Sequence, residues 1–80
     1  MHYVYILQSE SEPAQWYTGL TSDLRTRLAD HNSGKSPHTA KHKPWRLVTY
    51  VAFVDRSKAV AFEAYLKAGS GRAFAIRHLR

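Results

Sequence analysis

The stretch HYVYILQ, residues 2–8, predicts a strand at the centre of a β-sheet. Nearly all of its residues are β-branched, aromatic or aliphatic, which favours extended backbone. Side chains of a strand alternate between its two faces, so the two Tyr and the Leu of the stretch share one face, and Val4 and Ile6 share the other. Because both faces are apolar, we expect both to be buried.

The remaining sequence predicts two more strands and three helices. A return strand at residues 16–19 follows a polar turn, and a third strand is predicted at 45–54. The first helix runs from the cap residues Thr21-Ser22 to Gly34, and the second covers 58–68, capped by Ser57 and ended by Gly69. A turn at 69–71 leads to a final helix at 72–79. The first two strands are expected to form a hairpin. The sequence thus predicts the α+β class, with a small, mostly antiparallel three-stranded sheet flanked by helices in the order β-β-α-β-α-α.

Two segments carry further expectations. Residues 33–44 contain a Gly and two Pro residues and no acid, so they are predicted to be a positively charged loop. In the third strand, the alternation predicts that Leu47, Thr49, Val51 and Phe53 share one face and Val48, Tyr50, Ala52 and Val54 the other.

The length and composition limit the class of protein. Eighty residues suffice for a single domain, 1–80, with one core, and leave no room for an enclosed pocket that holds a large cofactor. The absence of cysteine excludes disulfides, thiolate metal sites and thiol catalysis, and indicates a reducing, cytoplasmic setting. No apolar run reaches the roughly 20 residues of a membrane span, and residues 2–7 are too short for a signal peptide.

The charge is distributed unevenly along the chain. The formal net charge is +6 with a pI near 10.0. Residues 1–22 contain no Lys or Arg, whereas all twelve basic residues lie between Arg25 and Arg80. Such clustering is typical of proteins that bind nucleic acid, since neutralising phosphates releases counterions. A basic face that is merely solvated is the alternative.

Glu63 occupies an unusual position in the second predicted helix. Helical spacing places it in the same stripe as Ala59, Phe62 and Leu66. A carboxylate in an apolar stripe needs a compensating partner. The pattern indicates either a divalent metal or an ion pair with Arg27 or Arg56.

Arg27 and His31 lie four residues apart on the first predicted helix, at the edge of its apolar face. An inward guanidinium is suited to a bidentate contact with phosphate, and a solvated Arg whose stem covers apolar surface is the alternative. For His31 the alternative to catalysis is a cation that complements the end of the helix dipole.

The predicted hairpin is expected to bring Tyr5 and Tyr17 near each other at the sheet surface. A phenol can act as a base only where cations stabilise the phenolate, and Arg25, Arg27, Lys41 and Lys43 are candidates for that role. Tyrosines in strands are also ordinary core residues. His38 and His42 have the i, i+4 spacing of a helical zinc site, but the segment is predicted to be a loop, so this signal is weak.

These residues resemble the GIY-YIG nuclease family, in particular its small members similar to the N-terminal domain of an excinuclease. Tyr3-Val4-Tyr5 stands where the family has Gly-Ile-Tyr, and Tyr17-Thr18-Gly19 where it has Tyr-Ile-Gly. The first-helix residues Asp23-Leu24, Arg27-Leu28 and His31-Asn32, and then Glu63 and the segment 65–72, continue the match. Tyr3 for Gly and Thr18 for Ile are departures from the pattern.

The resemblance implies a phosphodiesterase that uses one metal ion. Glu63 would be the protein ligand of one Mg²⁺ or Mn²⁺. Tyr17 would deprotonate or orient the attacking water, with Tyr5 in support. Arg27 would neutralise charge on the scissile phosphate, and His31 would assist proton transfer or contact phosphate. Lys35, Lys41, Lys43 and Arg72 would bind the nucleic-acid backbone. The partner would be DNA, branched or damaged forms included, and cleavage would show little sequence preference.

Two other functions remain open on the sequence. The same fold and basic face could bind nucleic acid without cleaving it, or cleave only when a partner delivers the substrate. A protein–protein adaptor would use Trp16 and Trp45 as exposed anchors. Chelation of metal with EDTA separates the enzyme from the binding module, and a complex that survives high salt would favour the adaptor.

Overall fold

The computed structural model describes residues 1–80 and has a three-stranded sheet at its centre. The strands are β1 (His2–Ser9), β2 (Trp16–Thr21) and β3 (Trp45–Phe53), and β1 lies between the other two. Both strand pairs are antiparallel. The strand that is apolar on both faces therefore occupies the central position, as predicted.

Four helices complete the fold. They are α1 (Leu24–Ser33), α2 (Pro37–Ala40), α3 (Arg56–Leu66) and α4 (Gly69–His78). The predicted α+β class and the order of its six main elements are confirmed. The exception is α2, a single turn within residues 33–44 that were predicted to be a loop. Its start has a local cause, since Ser36 takes the cap position and Pro37, with φ already fixed, takes the first helical position.

Aspartates, and not the predicted Ser and Thr residues, cap the two long helices that follow the strands. The Asp23 carboxylate accepts the backbone N–H of Thr26 at 3.1 Å, and the Asp55 carboxylate accepts that of Ser57 at 2.9 Å. These hydrogen bonds hold the pKa of each carboxyl below its usual value. A negative charge at the positive end of a helix dipole adds to the hydrogen bond, which explains the preference for Asp.

The predicted turn at residues 69–71 is the first turn of α4. Gly69 has a φ of 51°, so the chain turns sharply there between α3 and α4. Gly71 packs against the end of α3, where a Cβ atom would collide with the carbonyl of Tyr65. The two helices are thus adjacent, and α4 is longer at its start than predicted.

β3 contains a bulge that the sequence pattern did not reveal. Leu47 pairs with Leu7, whereas the next pair along the ladder joins Thr49 to Ile6. Val48 is therefore an extra residue opposite this step. One extra residue reverses the alternation of side chains beyond it.

The sheet consequently has two apolar cores. The core under α3 and α4 contains Val4, Ile6, Ala59, Leu66 and Ala75 and includes Phe53 at its edge. The core on the opposite face contains Tyr5, Leu7 and Trp45, with Leu47, Leu24 and Leu28 packed against it. Leu47 and Phe53 thus lie on opposite faces, and the prediction that they share one is wrong because of the bulge. No helix of this structure is long and apolar enough to cross a membrane.

Candidate active site

Tyr5 is the centre of a polar cluster on the α1 face of the sheet. Its side chain is 2% exposed, and its hydroxyl lies 2.9 Å from Nε2 of His31. Gly19 is its partner on β2, and a Cβ atom at that position would collide with the phenol oxygen and ring of Tyr5. The glycine thus leaves the space that the Tyr5 ring occupies.

His31 is fully buried and has a partner at each ring nitrogen. Nε2 faces Tyr5, and Nδ1 lies 2.7 Å from Oγ1 of Thr39 in α2. Thr39 donates to the Ser36 carbonyl at 3.4 Å, so Nδ1–H donates to Thr39 and Nε2 accepts from the Tyr5 hydroxyl. Burial, with a smaller contribution from Arg27, lowers the pKa of His31. A neutral, buried imidazole is not the helix-end cation that was one interpretation of the sequence.

Thr39 is a site residue that the sequence analysis missed. It is 1% exposed, and its backbone carbonyl also accepts the indole N–H of Trp45 at 2.8 Å. The signal available in the sequence was the Ser36-Pro37 pair, which is typical of a helix start. A short helix there holds a hydroxyl against His31, which a flexible loop would not do.

Tyr17 completes an aromatic cluster with Tyr5 and His31. The centroid of its ring lies 4.9 Å from that of His31 and 6.2 Å from that of Tyr5. Trp45 supports the other side of Tyr17 at 6.4 Å. The structure therefore brings together the two tyrosines and the histidine, as the sequence predicted.

Arg27 lies beside both phenols. Its polar contact with the Tyr5 phenol raises the pKa of the guanidinium, and Tyr17 adds to the effect. Its only ion pair is a long one, 3.9 Å to Asp30. Burial raises the pKa of Tyr5 to about 12 in spite of this cation, so Tyr5 is a neutral phenol at neutral pH. Arg27 thus provides a positive charge next to the cluster that no close carboxylate neutralises.

Glu63 approaches the cluster from α3. Its carboxylate is near enough to contribute to the raised pKa of Tyr5. The side chain is 22% exposed and forms an ion pair with Nζ of Lys67 at 3.1 Å. The partner is neither Arg27 nor Arg56, the two candidates considered for a structural ion pair. The i, i+4 spacing of Glu63 and Lys67 was the sequence signal for it.

The donors near Glu63 limit how a metal can be held. No three His, Cys, Asp or Glu side chains converge anywhere in the structure. Glu63 nevertheless fits a hard cation, since it offers a partly exposed carboxylate and Mg²⁺ commonly takes one or two carboxylates and keeps its waters. His38 and His42 belong to no group of three metal-ligating side chains. His42 instead contacts Glu12 at 3.2 Å.

The predicted nucleic-acid ligands lie on two sides of the cluster. Lys35, Lys41 and Lys43 are exposed around α2, on the His31 side, and Lys35 lies 3.8 Å from Asp30. Arg72 lies on the Tyr17 side, in a groove of about 410 Å³. The two tryptophans are not exposed anchors. Trp45 is 4% exposed, and Trp16 packs against the core beneath α3 and α4.

Comparison with protein families decides the relationship. The family model described as the GIY-YIG catalytic domain matches residues 1–75 of the chain. The chain belongs to the GIY-YIG family. The resemblance seen in the two tyrosine triplets is confirmed, and the GIY-YIG family is a family of nucleases.

Relatives of the same size class are known. The UPF0213 protein BH0048 of Halalkalibacterium halodurans is 42% identical over 67 residues, which is 82% of this chain and 69% of that one. A UPF0213 protein of Streptococcus pneumoniae is 39% identical over 66 residues, 81% of this chain and 65% of that one. The solution NMR structure of UPF0213 protein BH0048 from Bacillus halodurans has a TM-score of 0.56 and 34% identity, and covers 95% of this GIY-YIG chain and 82% of that chain.

Proposed function

We propose that this protein is a metal-dependent endonuclease that hydrolyses phosphodiester bonds in DNA, with Glu63 as the ligand of one Mg²⁺ or Mn²⁺. The observation that carries the proposal is the convergence of Tyr5, Tyr17 and Arg27 with buried His31 on one face of the sheet. The Glu63 carboxylate makes the smallest of several contributions to the pKa of the Tyr5 phenol. These are the groups that family members are expected to use, and here they come from four separate elements.

Each side chain has a role that follows from its surroundings. Tyr17, whose ring is the less buried of the two phenols, orients or deprotonates the attacking water. Tyr5 is a neutral phenol whose hydroxyl donates to His31, so it positions its neighbours and does not serve as the base. Neutral, fully buried His31 accepts that hydrogen bond and fixes the Tyr5 hydroxyl, so it supports the cluster from the interior.

Arg27 and the metal share the neutralisation of charge. The Arg27 guanidinium, with only a 3.9 Å pair to Asp30, is available to contact the oxygens of the scissile phosphate, where negative charge grows during attack. A metal ion held by Glu63 would supply Lewis-acid stabilisation of the phosphate. Because one small surface must provide both binding and chemistry, we expect little sequence preference.

A nucleic-acid-binding module without cleavage is the second candidate. The ion pair of Glu63 with Lys67 favours it, since the carboxylate already has a cationic partner. The basic residues on both sides of the cluster would serve this function equally well. A module of this kind binds DNA in EDTA and yields no product with any metal.

A plasmid assay tests the proposal. Supercoiled DNA is incubated with the wild-type protein, with Glu63→Gln or with Glu10→Gln, each in the presence of Mg²⁺, Mn²⁺ or EDTA. Glu10→Gln is the matched control, because it changes an exposed carboxylate in the β1–β2 turn. We expect nicked or linear product from wild type and Glu10→Gln with metal, and none from Glu63→Gln or in EDTA. Equal cleavage by Glu63→Gln would contradict the metal-ligand role, and no cleavage by any protein would favour the binding module. Flap and three-way-junction substrates beside a linear duplex of the same sequence test for structure preference.

A further inference from the structure

The groove beside Tyr17 carries a charge pattern that the proposed chemistry does not use. Its walls include Trp16 and Tyr17 from β2, Lys67 just after α3, Arg72 from α4, and Arg80. Three cations therefore converge on one concave surface of about 410 Å³. Arg72 and Arg80 form no ion pair with any acid, and Lys67 is paired only with Glu63.

The two arginines are fixed by contacts within the protein. The Arg72 guanidinium donates to the backbone carbonyl of Lys67 at 3.1 Å. Arg80 stacks on the indole of Trp16, 4.7 Å from the ring centroid. Arg72 and Arg80 line the same groove, and burial, together with the charge of Arg72, lowers the pKa of Arg80. Side chains already held in place lose less entropy when they bind a ligand.

Like charges held together without an acid favour an anion. Their mutual repulsion raises the free energy of the empty groove. An anion that contacts both guanidinium groups offsets this repulsion. Arginine forms bidentate contacts with phosphate oxygens, and a concave site strengthens them. A groove rich in Arg with an aromatic wall is thus suited to phosphate.

We propose that this groove is a second phosphate site, which binds the DNA backbone next to the phosphate that is cleaved. Lys67 lines the groove and also forms the ion pair with Glu63, the proposed metal ligand. A DNA strand bound in the groove would therefore pass next to Glu63. The inference rests on the proposed function, since it extends the DNA path of that site.

The salt dependence of DNA binding tests the groove without requiring cleavage. A labelled duplex is titrated in EDTA with wild type, Arg72→Ala, Arg80→Ala, and Arg77→Ala, which removes the same charge from α4 outside the groove. We expect Arg72→Ala to lower the slope of log K against log salt by about 0.9 and to weaken binding roughly tenfold at 0.1 M salt. Arg77→Ala is expected to change the slope little.

Several outcomes would overturn the proposal. Equal losses for Arg77→Ala and Arg72→Ala would mean diffuse attraction by the whole surface. Displacement of the duplex by millimolar inorganic phosphate at constant ionic strength would mean a site for the free anion. Circular dichroism melting checks the fold, and if Arg72→Ala does not fold, Arg80→Ala decides the question.

The same set of proteins separates this inference from the proposed function. If wild type cleaves DNA but the arginine variants have the same slope of log K against log salt as wild type, the groove is not a DNA site and the proposed nuclease activity stands. A lowered slope for Arg72→Ala together with no cleavage in Mg²⁺ or Mn²⁺ would leave the groove as the DNA site of a non-catalytic module.

Discussion

The Tyr5 hydroxyl lies 2.9 Å from Nε2 of His31 in the interior of the protein, where neither side chain is more than 2% exposed. Two groups usually associated with proton transfer are thereby neutral at neutral pH. Burial lowers the pKa of the imidazole and raises the pKa of the phenol to about 12. The pair forms a fixed support behind Tyr17, which is the phenol more accessible to a substrate.

Folding stability should depend on pH through His31. The ordinary pKa of His is about 6.5, and burial lowers the pKa of His31 in the folded state. Below about pH 6.5 the unfolded chain therefore takes up a proton that the folded protein does not, so the stability present above this pH is lost as the pH falls. The slope from this one group is at most about 1.4 kcal/mol per pH unit.

Urea unfolding at pH 7.5, 6.5 and 5.5 measures this effect. We expect His31→Gln to lose stability less steeply between these values than wild type, and His38→Gln, a change at an exposed histidine, to follow wild type. If the free energy of unfolding changes with pH in parallel for all three proteins, His31 does not set the pH dependence.

Gly19→Ala should disrupt both stability and activity. The added Cβ atom would collide with the Tyr5 phenol and would lie 2.9 Å from the ring of Tyr17. Overpacking of this kind typically costs 1–3 kcal/mol, so we expect about that loss in chemical denaturation. The displaced phenols should also abolish most cleavage.

Gly69→Ala is the matched control for that change. Gly69 has a positive φ but open space where a Cβ would lie, so the cost of the substitution is only the backbone strain of roughly 1–2 kcal/mol. It should retain cleavage at temperatures where it is folded. Full activity of Gly19→Ala would show that the position of Tyr5 is not critical.

Arg27→Ala should slow cleavage by about 10²–10³-fold, because it removes the positive charge that we propose contacts the scissile phosphate. Its effect on the free energy of unfolding should stay within about 1 kcal/mol, since its ion pair with Asp30 is long and partly exposed. Arg25→Ala, an exposed residue of the same helix, should cut at nearly the wild-type rate. Initial rates on a fluorescent duplex compare the two, and similar losses would assign Arg27 to general attraction of DNA.

Lys67→Ala should strengthen metal binding at Glu63. In the free protein Nζ of Lys67 lies 3.1 Å from the carboxylate, so a divalent ion must displace this cation. Removing it should lower the dissociation constant for Mn²⁺ several-fold, measured from the signal of free Mn²⁺ by electron paramagnetic resonance. Lys58→Ala, a change at an exposed residue of α3, should match wild type. Unchanged Mn²⁺ binding in Lys67→Ala would place the metal away from Glu63.

The parts of the fold with strong local patterns were predictable from the sequence. The apolar stretch of β1 specified a central strand, and Gly34, with a φ of 84°, ends α1 as expected. The approach of Tyr5 to Tyr17 was predicted from the pairing of β1 with β2, whereas a site role for His31 came only from the resemblance to the GIY-YIG family.

Features that depend on tertiary contacts were not predictable. Val48 looks like any strand residue, and only the pairing of β3 with β1 shows that it is the inserted residue of a bulge. The burial of His31 depends on Thr39, whose helix is too short for a periodic signal. Glu63 was recognised as unusual, but several cations lay at plausible distances in sequence, and the geometry of α3 selects Lys67.

The position of β1 between β2 and β3 means that neither half of the chain can form the sheet alone. Residues 1–34 contain the hairpin and α1 with both tyrosines, and residues 35–80 contain the outer strand β3 and Glu63. Two separately expressed fragments would each leave one side of β1 or β3 unpaired, and would recover the full set of site residues only after they associate. If the proposed activity holds, the chain is a natural starting point for a split-protein reporter, in which DNA nicking would signal that two fused partners have met.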